Sequence, residues 1–154
     1  MYTPAHEHPL AGFLIENSAN LYASMINRST SKGKMFADNI NHEAAVDAVV
    51  GLIKGEPSPH GISAVILNDS HLLVYSVGQP WFGGGETWLI EQFYMRVGRG
   101  SSTAALEAVD QLGRDLGCQR TVFGTSLAAS DAALGRLLSI NGYKPQSSQH
   151  IKEI

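Results

Sequence analysis

One stretch of this chain combines residue types that could hold a phosphate group. In residues 88–103, an apolar run leads to two glycines and two arginines, and then to three consecutive hydroxyl residues. Glycine lets a backbone turn sharply and approach a ligand closely. The first N–H groups of a helix have no intrahelical acceptor, and the helix dipole there favours negative charge. We interpret the stretch as a strand, a turn and a helix start that bind a phosphate or pyrophosphate. The alternative is a capped helix whose arginines face solvent.

Two other phosphate-binding designs fit this turn poorly. A P-loop requires Gly-Lys-Ser/Thr, and no lysine lies between Lys54 and Lys144. A dinucleotide fingerprint requires G-x-G-x-x-G, but counting from Gly98 the third glycine position is Thr103. No acidic residue at the end of the next strand is placed to bind a ribose. These comparisons exclude the P-loop and disfavour the dinucleotide site.

The stretch resembles the acyl-CoA-binding core of the GNAT superfamily, the Gcn5-related N-acetyltransferases. Members typically have a strand of the pattern hydrophobic-Glu-x-hydrophobic-aromatic-hydrophobic, followed by Arg-Gly-x-Gly-x-Gly/Ala at the start of a helix. Residues 90–95 (Ile-Glu-Gln-Phe-Tyr-Met) match that strand, and residues 99–104 (Arg-Gly-Ser-Ser-Thr-Ala) match that loop. Residues 130–143, which end in Gly-Tyr, are similar to the closing helix of the family. The resemblance covers residues 62–143.

This resemblance implies an α/β fold, with a central, mixed, mostly antiparallel sheet flanked by helices. It also implies that the cofactor is acetyl-CoA or another acyl-CoA and that no metal takes part. The turn and the helix start would hold the pyrophosphate, and the backbone of the strand would pair with the pantetheine arm and polarise the thioester carbonyl. The residues that it assigns to the cofactor are Tyr94, Met95, Arg96, Arg99, Gly100, Ser101, Ser102, Thr103 and Asp131.

The chain departs from the family pattern at several positions. Ser102 replaces the second glycine of the loop, and the turn between Met95 and Arg99 is slightly shorter than usual. Asp131 stands where many members have asparagine. Leu138 stands where many members place a tyrosine that acts as general acid, so the resemblance assigns no acid here.

Glu91 is the candidate general base. An amine must lose a proton before it attacks a thioester, and a carboxylate on the central strand can accept that proton directly or through water. The alternative is a structural glutamate paired with an arginine at the sheet edge. Glu86, beside the glycine-rich loop, is expected to be solvated.

Other side chains are candidates for the acceptor site or for no site at all. Trp81 and Phe82 precede three glycines, and a loop on a rigid scaffold commonly carries recognition, so we assign them to the acceptor site. The alternative is that both pack on the sheet. The pair His6 and His8 resembles a metal motif but has no third ligand nearby, and we expect a frayed terminus there. His71 is expected to be solvated in a turn.

The elements that must position these residues follow from hydrophobic periodicity and from turn residues. Short connections between the middle strands predict antiparallel pairing. The predicted elements are a helix over 10–25, an extended piece at 34–37, a helix over 41–53, strands at 62–67, 72–77 and 87–97, a helix over 101–116, a strand at 120–127, a helix over 130–140 and a short strand at 143–151.

Composition bounds the remaining possibilities. The 154 residues, 44% hydrophobic and 16% charged, predict one globular domain over 1–154, with a helical acceptor-side part (1–60) and a sheet and acyl-CoA core (61–154). A net charge of −3 without a basic run argues against nucleic acid as a partner. The single cysteine, Cys118, is interpreted as a small buried apolar side chain and excludes an internal disulfide, which favours a reduced compartment.

Location and activity complete the interpretation. No signal peptide begins the chain, and no apolar run approaches the ~20 residues that cross a bilayer, so we expect a cytoplasmic protein with no membrane partner. The predicted function is N-acyl transfer from acetyl-CoA to the primary amine of a small molecule or peptide. The rival is a non-catalytic acyl-CoA-binding or structural protein, in which the aromatic loop fills the cleft or forms the contact of a homodimer.

Overall fold

The computed structural model describes residues 1–30, 41–124 and 131–146, and within them five strands form one sheet in the order β1-β2-β3-β4-β5. The first four strands pair antiparallel with their neighbours, and β5 pairs parallel to β4. This arrangement confirms the expected mixed, mostly antiparallel sheet. The strands are β1 (Tyr2–Pro4), β2 (Ile62–Leu67), β3 (His71–Gly78), β4 (Trp88–Arg96) and β5 (Arg120–Val122).

Helices cover both faces of the sheet. One buried cluster joins the amino-terminal helices to one face, and it includes Leu14, Val49, Ile66, Val74 and Phe93. The other cluster joins the later helices to the opposite face through Val65, Leu73, Leu89, Leu106 and Leu138. The helices are α1 (Ala11–Glu16), α2 (Ser18–Thr30), α3 (His42–Ile53), α4 (Ser102–Asp115) and α5 (Asp131–Ile140). No helix in the described part of the chain is long and apolar enough to span a membrane.

The single helix expected over 10–25 is two helices. Asn17 leaves helical geometry, with φ −104° and ψ 29°, and its side-chain amide donates to the Phe13 carbonyl at 2.9 Å. Asparagine competes with the backbone for such local hydrogen bonds, which favours a break. Asn41 caps α3 as predicted, because its side chain accepts from the Ala44 N–H at 3.0 Å.

The amino terminus is ordered by the sheet, so the expectation of a frayed segment is wrong. Strand β1 pairs with β2, and the Tyr2 hydroxyl donates to Asp115 on α4 at 2.8 Å. His8 is buried; its Nδ1 accepts from the Leu10 N–H at 3.0 Å, which leaves Nε2–H to donate to Asp69 at 2.9 Å. The sequence pattern did not predict β1, because three residues are too few to show an alternating pattern.

Other expected elements are shortened or lie elsewhere. Strand β5 ends at Val122, earlier than the expected 127, and residues 125–127 lie outside the described residues. The expected strand at 143–151 is absent over 143–146, and its remainder is not described, nor is the piece at 34–37. Cys118 is half-buried rather than buried, and burial raises the pKa of its thiol.

Two turns of the chain are packed directly against each other. The β2–β3 turn has Asn68 and Asp69 in left-handed conformation, with φ 48° and 54°, which these residue types tolerate. The Ser70 carbonyl of this turn accepts from the N–H groups of Val97 and Gly98 at 2.8 and 3.0 Å. The turn between β4 and α4 is thereby fixed to the hairpin.

The glycines of the β4–α4 turn are required by this contact. A Cβ atom at Gly98 would lie 2.6 Å from the Asp69 carbonyl oxygen, and one at Gly100 would lie 2.7 Å from the Cβ of Ser70. Neither glycine has a positive φ angle. The absence of a side chain, rather than backbone freedom, is what these two positions need.

We predict that Gly98→Ala destabilises the fold, because the new methyl group meets a backbone oxygen that cannot rotate away. Overpacking of this kind costs about 1–3 kcal/mol. Thermal unfolding should show a Tm several degrees lower than that of the wild type. The matched control is Gly78→Ala, where a Cβ atom has no neighbour within 4 Å. Equal melting temperatures for the two variants would contradict the packing argument.

Candidate functional site

A β-bulge divides strand β4 at the predicted base. Val74 of β3 lies opposite Phe93, whereas the next residue, Tyr75, lies opposite Glu91, so Gln92 is the extra residue. The bulge lets Glu91 and Phe93 face opposite sides of the sheet, since Tyr75 and Phe93 belong to different buried clusters. Bulges of this kind re-aim side chains and are frequent beside active sites.

Glu91 reaches from β4 to the segment that follows β5. The parallel ladder between the two strands ends, in the described residues, at the pair Ile90 and Val122. Just past that pair, the Glu91 Oε2 accepts from the Gly124 N–H at 3.1 Å. The alternative of a pairing with arginine is therefore wrong, because the partner is a backbone amide.

The environment of Glu91 favours its neutral form. Burial raises the pKa of Glu91 to about 7, and the Gly124 N–H acts in the opposite direction by stabilising the carboxylate. A group with a pKa near neutral can both take up and release a proton at physiological pH, as a general base must. Perturbed carboxyl groups of this kind are typical of functional sites.

The β4–α4 turn is braced by one of its own arginines. The Arg96 guanidinium donates to the Gly100 carbonyl at 2.8 Å and to the Ser102 hydroxyl at 2.9 Å. Ser101 is the N-cap of α4, and its hydroxyl accepts from the Ala104 N–H at 3.3 Å. Arg96, Ser101 and Ser102 thus shape the turn, while direct contact of their side chains with a cofactor stays a prediction.

The rest of the turn offers the groups that an anion needs. Ser102 and Thr103 are the first two residues of α4, and N–H groups at such positions have no intrahelical acceptor. Arg99 is exposed beside them and makes no side-chain hydrogen bond or ion pair with the described residues. The combination of free helix N–H groups and a nearby cation fits a phosphate. The side chain of Asp131 lies outside the described residues.

An aromatic row that the sequence did not reveal lies between the turn and the end of α5. The His71 ring stacks on Tyr94 at 5.1 Å, Phe123 meets Tyr94 edge-on at 5.3 Å, and Tyr143 meets Phe123 at 5.8 Å. His71 is only 2% exposed, so its expected solvation is wrong. Leu138 is also buried, at 7% exposure, and belongs to the core beneath α4.

The two aromatic residues assigned from the sequence to the acceptor site precede the other end of β4. Trp81 is 94% exposed and Phe82 is 64% exposed, so neither side chain is buried in the core. Phe82 meets Trp88 edge-on at 5.7 Å, and Arg120 lies over the Trp88 ring. Whether Trp81 and Phe82 contact an acceptor stays a prediction.

One expectation about the surroundings of this region is corrected. Glu86 is not merely solvated, because it accepts from Arg120 at 2.6 Å and from the Trp88 indole at 3.0 Å. These contacts lower the pKa of Glu86, the hydrogen bond from Arg120 most of all. The first helices, which belong to the part assigned to the acceptor side (1–60), pack on the face of the sheet opposite to Glu91.

The raised pKa of Glu91 predicts a pH-dependent stability. The ordinary value of 4.5 applies to the unfolded chain, so folding opposes ionisation, and stability falls as pH rises from about 4.5 to about 7. Glu91→Gln keeps an acceptor for Gly124 and removes this penalty, which is on the order of 3 kcal/mol. Its Tm should exceed that of the wild type at pH 8 and equal it near pH 4. A gain of the same size for exposed Glu107→Gln would contradict this cause.

Comparisons with known proteins identify the fold. No family model and no curated protein matches the chain. A probable acetyltransferase is similar with a TM-score of 0.56 and 10% identity, covering 90% of this chain and 93% of that one. An integron cassette protein from the mobile metagenome of V. cholerae is similar with a TM-score of 0.55 and 12% identity, covering 100% of this chain and 90% of that one. An acetyltransferase of Trypanosoma brucei has a TM-score of 0.50 and 11% identity, covering 91% of this chain and 94% of that one. The resemblance found in the sequence is confirmed at the level of fold: this chain has the fold of these acetyltransferases.

Proposed function

We propose that this chain is an acyl-CoA-dependent N-acyltransferase that transfers an acetyl group from acetyl-CoA to a primary amine. The observation that carries the proposal is the placement of two features on one strand. Glu91, a carboxyl group with a pKa near neutrality, lies at the bulge of β4, and the same strand leads through one turn to the amino end of α4. The proposed proton acceptor and the proposed anion-binding group are thus joined by one strand and one turn of the scaffold.

The turn would hold the phosphates of the cofactor. Arg99 supplies a positive charge, and the N–H groups of Ser102 and Thr103 supply donors at the positive end of the helix dipole. Hydrogen bonds from Arg96 to Gly100 and Ser102 stabilise the conformation of the turn. Acyl-CoA, when bound, supplies an activated acyl group as a thioester. Tyr94 and Met95 are the residues whose backbone we expect beside the pantetheine arm.

Glu91 would take the proton that the acceptor amine must lose. The amine nitrogen forms a bond to the acyl carbon, the bond from that carbon to sulfur breaks, and Glu91 holds the released proton. A thiol has a pKa of about 8.5, so sulfur can depart as a thiolate without a strong acid. The buried Leu138, at the position of the missing tyrosine, is compatible with this route.

A non-catalytic acyl-CoA-binding protein is the second candidate. Two observations favour it: Leu138 fills the place of the usual acid with an apolar side chain, and Arg96 is engaged by the turn itself. A binding protein also needs the turn at α4, but it needs no proton acceptor at Glu91. A substitution of Glu91 therefore distinguishes the two candidate functions.

Cofactor binding predicts a thermal shift. CoA binds the folded chain only and should raise its Tm in proportion to concentration and affinity. Arg99→Ala removes a charged contact to phosphate, worth about 1.5–3 kcal/mol, so affinity should fall about 10- to 100-fold while the Tm without CoA changes little. Arg114→Ala, at the far end of α4, is the matched control. The absence of any shift at millimolar CoA would contradict the cofactor assignment.

Catalysis predicts a pH-dependent rate that needs Glu91. Free thiol release from acetyl-CoA, measured against a panel of amines, should rise with pH through about 7 as Glu91 ionises. Glu91→Gln should slow the amine-stimulated release by about 10²–10⁴-fold and flatten the profile, with CoA affinity unchanged. CoA binding without amine-stimulated release would decide for the binding protein.

A further inference from the structure

The β2–β3 turn holds two buried polar side chains that a hairpin does not need. Ser70 is fully buried and His71 is 2% exposed, although hairpin turns are normally built from exposed polar residues. Burial of polar groups costs free energy unless their hydrogen bonds are satisfied. Here the Ser70 Oγ and the His71 Nδ1 lie 2.7 Å apart and form a hydrogen bond with each other.

Ser70 contacts the phosphate-binding turn through three of its atoms. Its carbonyl accepts from Val97 and Gly98, and its Cβ and Oγ fill the space that a side chain at Gly100 would occupy. The Ser70 hydroxyl is itself held, by His71 and by the Leu67 carbonyl at 3.3 Å. The position of Ser70 therefore fixes where Gly98 and Gly100 lie.

His71 makes a second contact, to the strand that leads into the same turn. Its ring lies nearly parallel to that of Tyr94, with an interplanar angle of 11°. Burial, and to a smaller extent the charge of Arg96, lower the pKa of His71 to about 4, so the ring is neutral at physiological pH. A neutral ring can stack on Tyr94 and bond to Ser70 without adding a charge beneath the turn.

We propose that Ser70 and His71 are positioning residues for the acyl-CoA cofactor. Ser70 sets the shape of the turn that holds the phosphates, and His71 joins that turn to Tyr94, the strand residue expected beside the pantetheine arm. This inference rests on the proposed function. The inference adds two residues, on a hairpin distant in sequence, to the proposed cofactor site. These residues hold the phosphate-binding turn and the strand beside the pantetheine arm in a fixed relative position.

Three variants separate the two contacts. Ser70→Ala and His71→Phe both remove the hydrogen bond, and the phenylalanine ring can still stack on Tyr94. His71→Asn keeps a polar atom near the Nδ1 position and removes the stacked ring. Ser58→Ala is the matched control, since it removes a serine that also accepts a hydrogen bond within a loop, from the N–H of His60.

Affinity is measured for two probes, CoA and pantetheine, of which the second lacks the pyrophosphate and the nucleotide. Ser70→Ala and His71→Phe should weaken CoA about five- to tenfold and leave pantetheine within twofold. His71→Asn should weaken both probes by the same factor, because the strand position is common to both. Ser58→Ala should change neither. Amide hydrogen exchange at Val97 and Gly98 should accelerate in Ser70→Ala, while the other β4 amides keep their rates.

The outcomes are distinguishable from failure of the proposed function. If the wild type binds no CoA, the proposed function fails and this inference with it, even where exchange at Gly98 responds to Ser70→Ala. If the wild type binds CoA and all three variants bind it equally well, the positioning role alone is overturned. Equal loss of CoA and pantetheine in Ser70→Ala, together with a general rise in exchange, also overturns it, because that pattern reports only a loosened fold. Failure of Ser70→Ala to fold leaves His71→Phe to decide.

Discussion

The contact between the β2–β3 hairpin and the β4–α4 turn is the constraint on which this structure depends. A single carbonyl, that of Ser70, accepts two backbone N–H groups of the turn. The approach is so close that glycine is required at positions 98 and 100. The turn therefore has no freedom of its own. The conformation of the turn is set by a hairpin that comes almost thirty residues earlier in the chain. The direction in which α4 leaves the sheet follows from the conformation of the turn.

This contact changes the meaning of the glycine pattern. In the sequence, two glycines before a helix indicate a backbone that approaches a ligand. In the structure, the Gly98 N–H donates to the Ser70 carbonyl, and both glycines approach another part of the same chain. The groups that we propose for an anion are Arg99, between the two glycines, and the N–H groups at the start of α4. The glycines at positions 98 and 100 are thus a packing requirement, whereas Ser102 accepts a hydrogen bond from Arg96.

The fold could be predicted from the sequence further than the site could. Periodicity and caps are local, so the helix capped by Asn41 and the strand that carries Glu91 were recovered. The break at Asn17 and the three-residue β1 were missed, because one depends on a side-chain hydrogen bond and the other on a partner sixty residues away.

The site depends on contacts between distant segments. Nothing near Glu91 indicates Gly124 as its hydrogen-bond partner, and nothing near His71 indicates Tyr94 as its stacking partner. The signal that could have pointed to Ser70 and His71 is the Asn-Asp-Ser-His turn, in which two residues tolerant of left-handed backbone precede a serine and a histidine. That pattern predicts a tight hairpin, but it does not say what the hairpin holds.

The buried His8 gives this architecture a consequence for the order of assembly. Through its bond to Asp69, and through the Met1 carbonyl that accepts from Asn68, the amino-terminal segment holds the far side of the same hairpin. During synthesis this segment precedes its partners on β2 and in the hairpin by more than sixty residues, and Asp115 follows later still. Closing so long a loop carries an entropic cost that must be met before its contacts form. The segment can therefore dock only after the hairpin has been made, and the contacts that support the β4–α4 turn are complete only when the two ends of that loop have met.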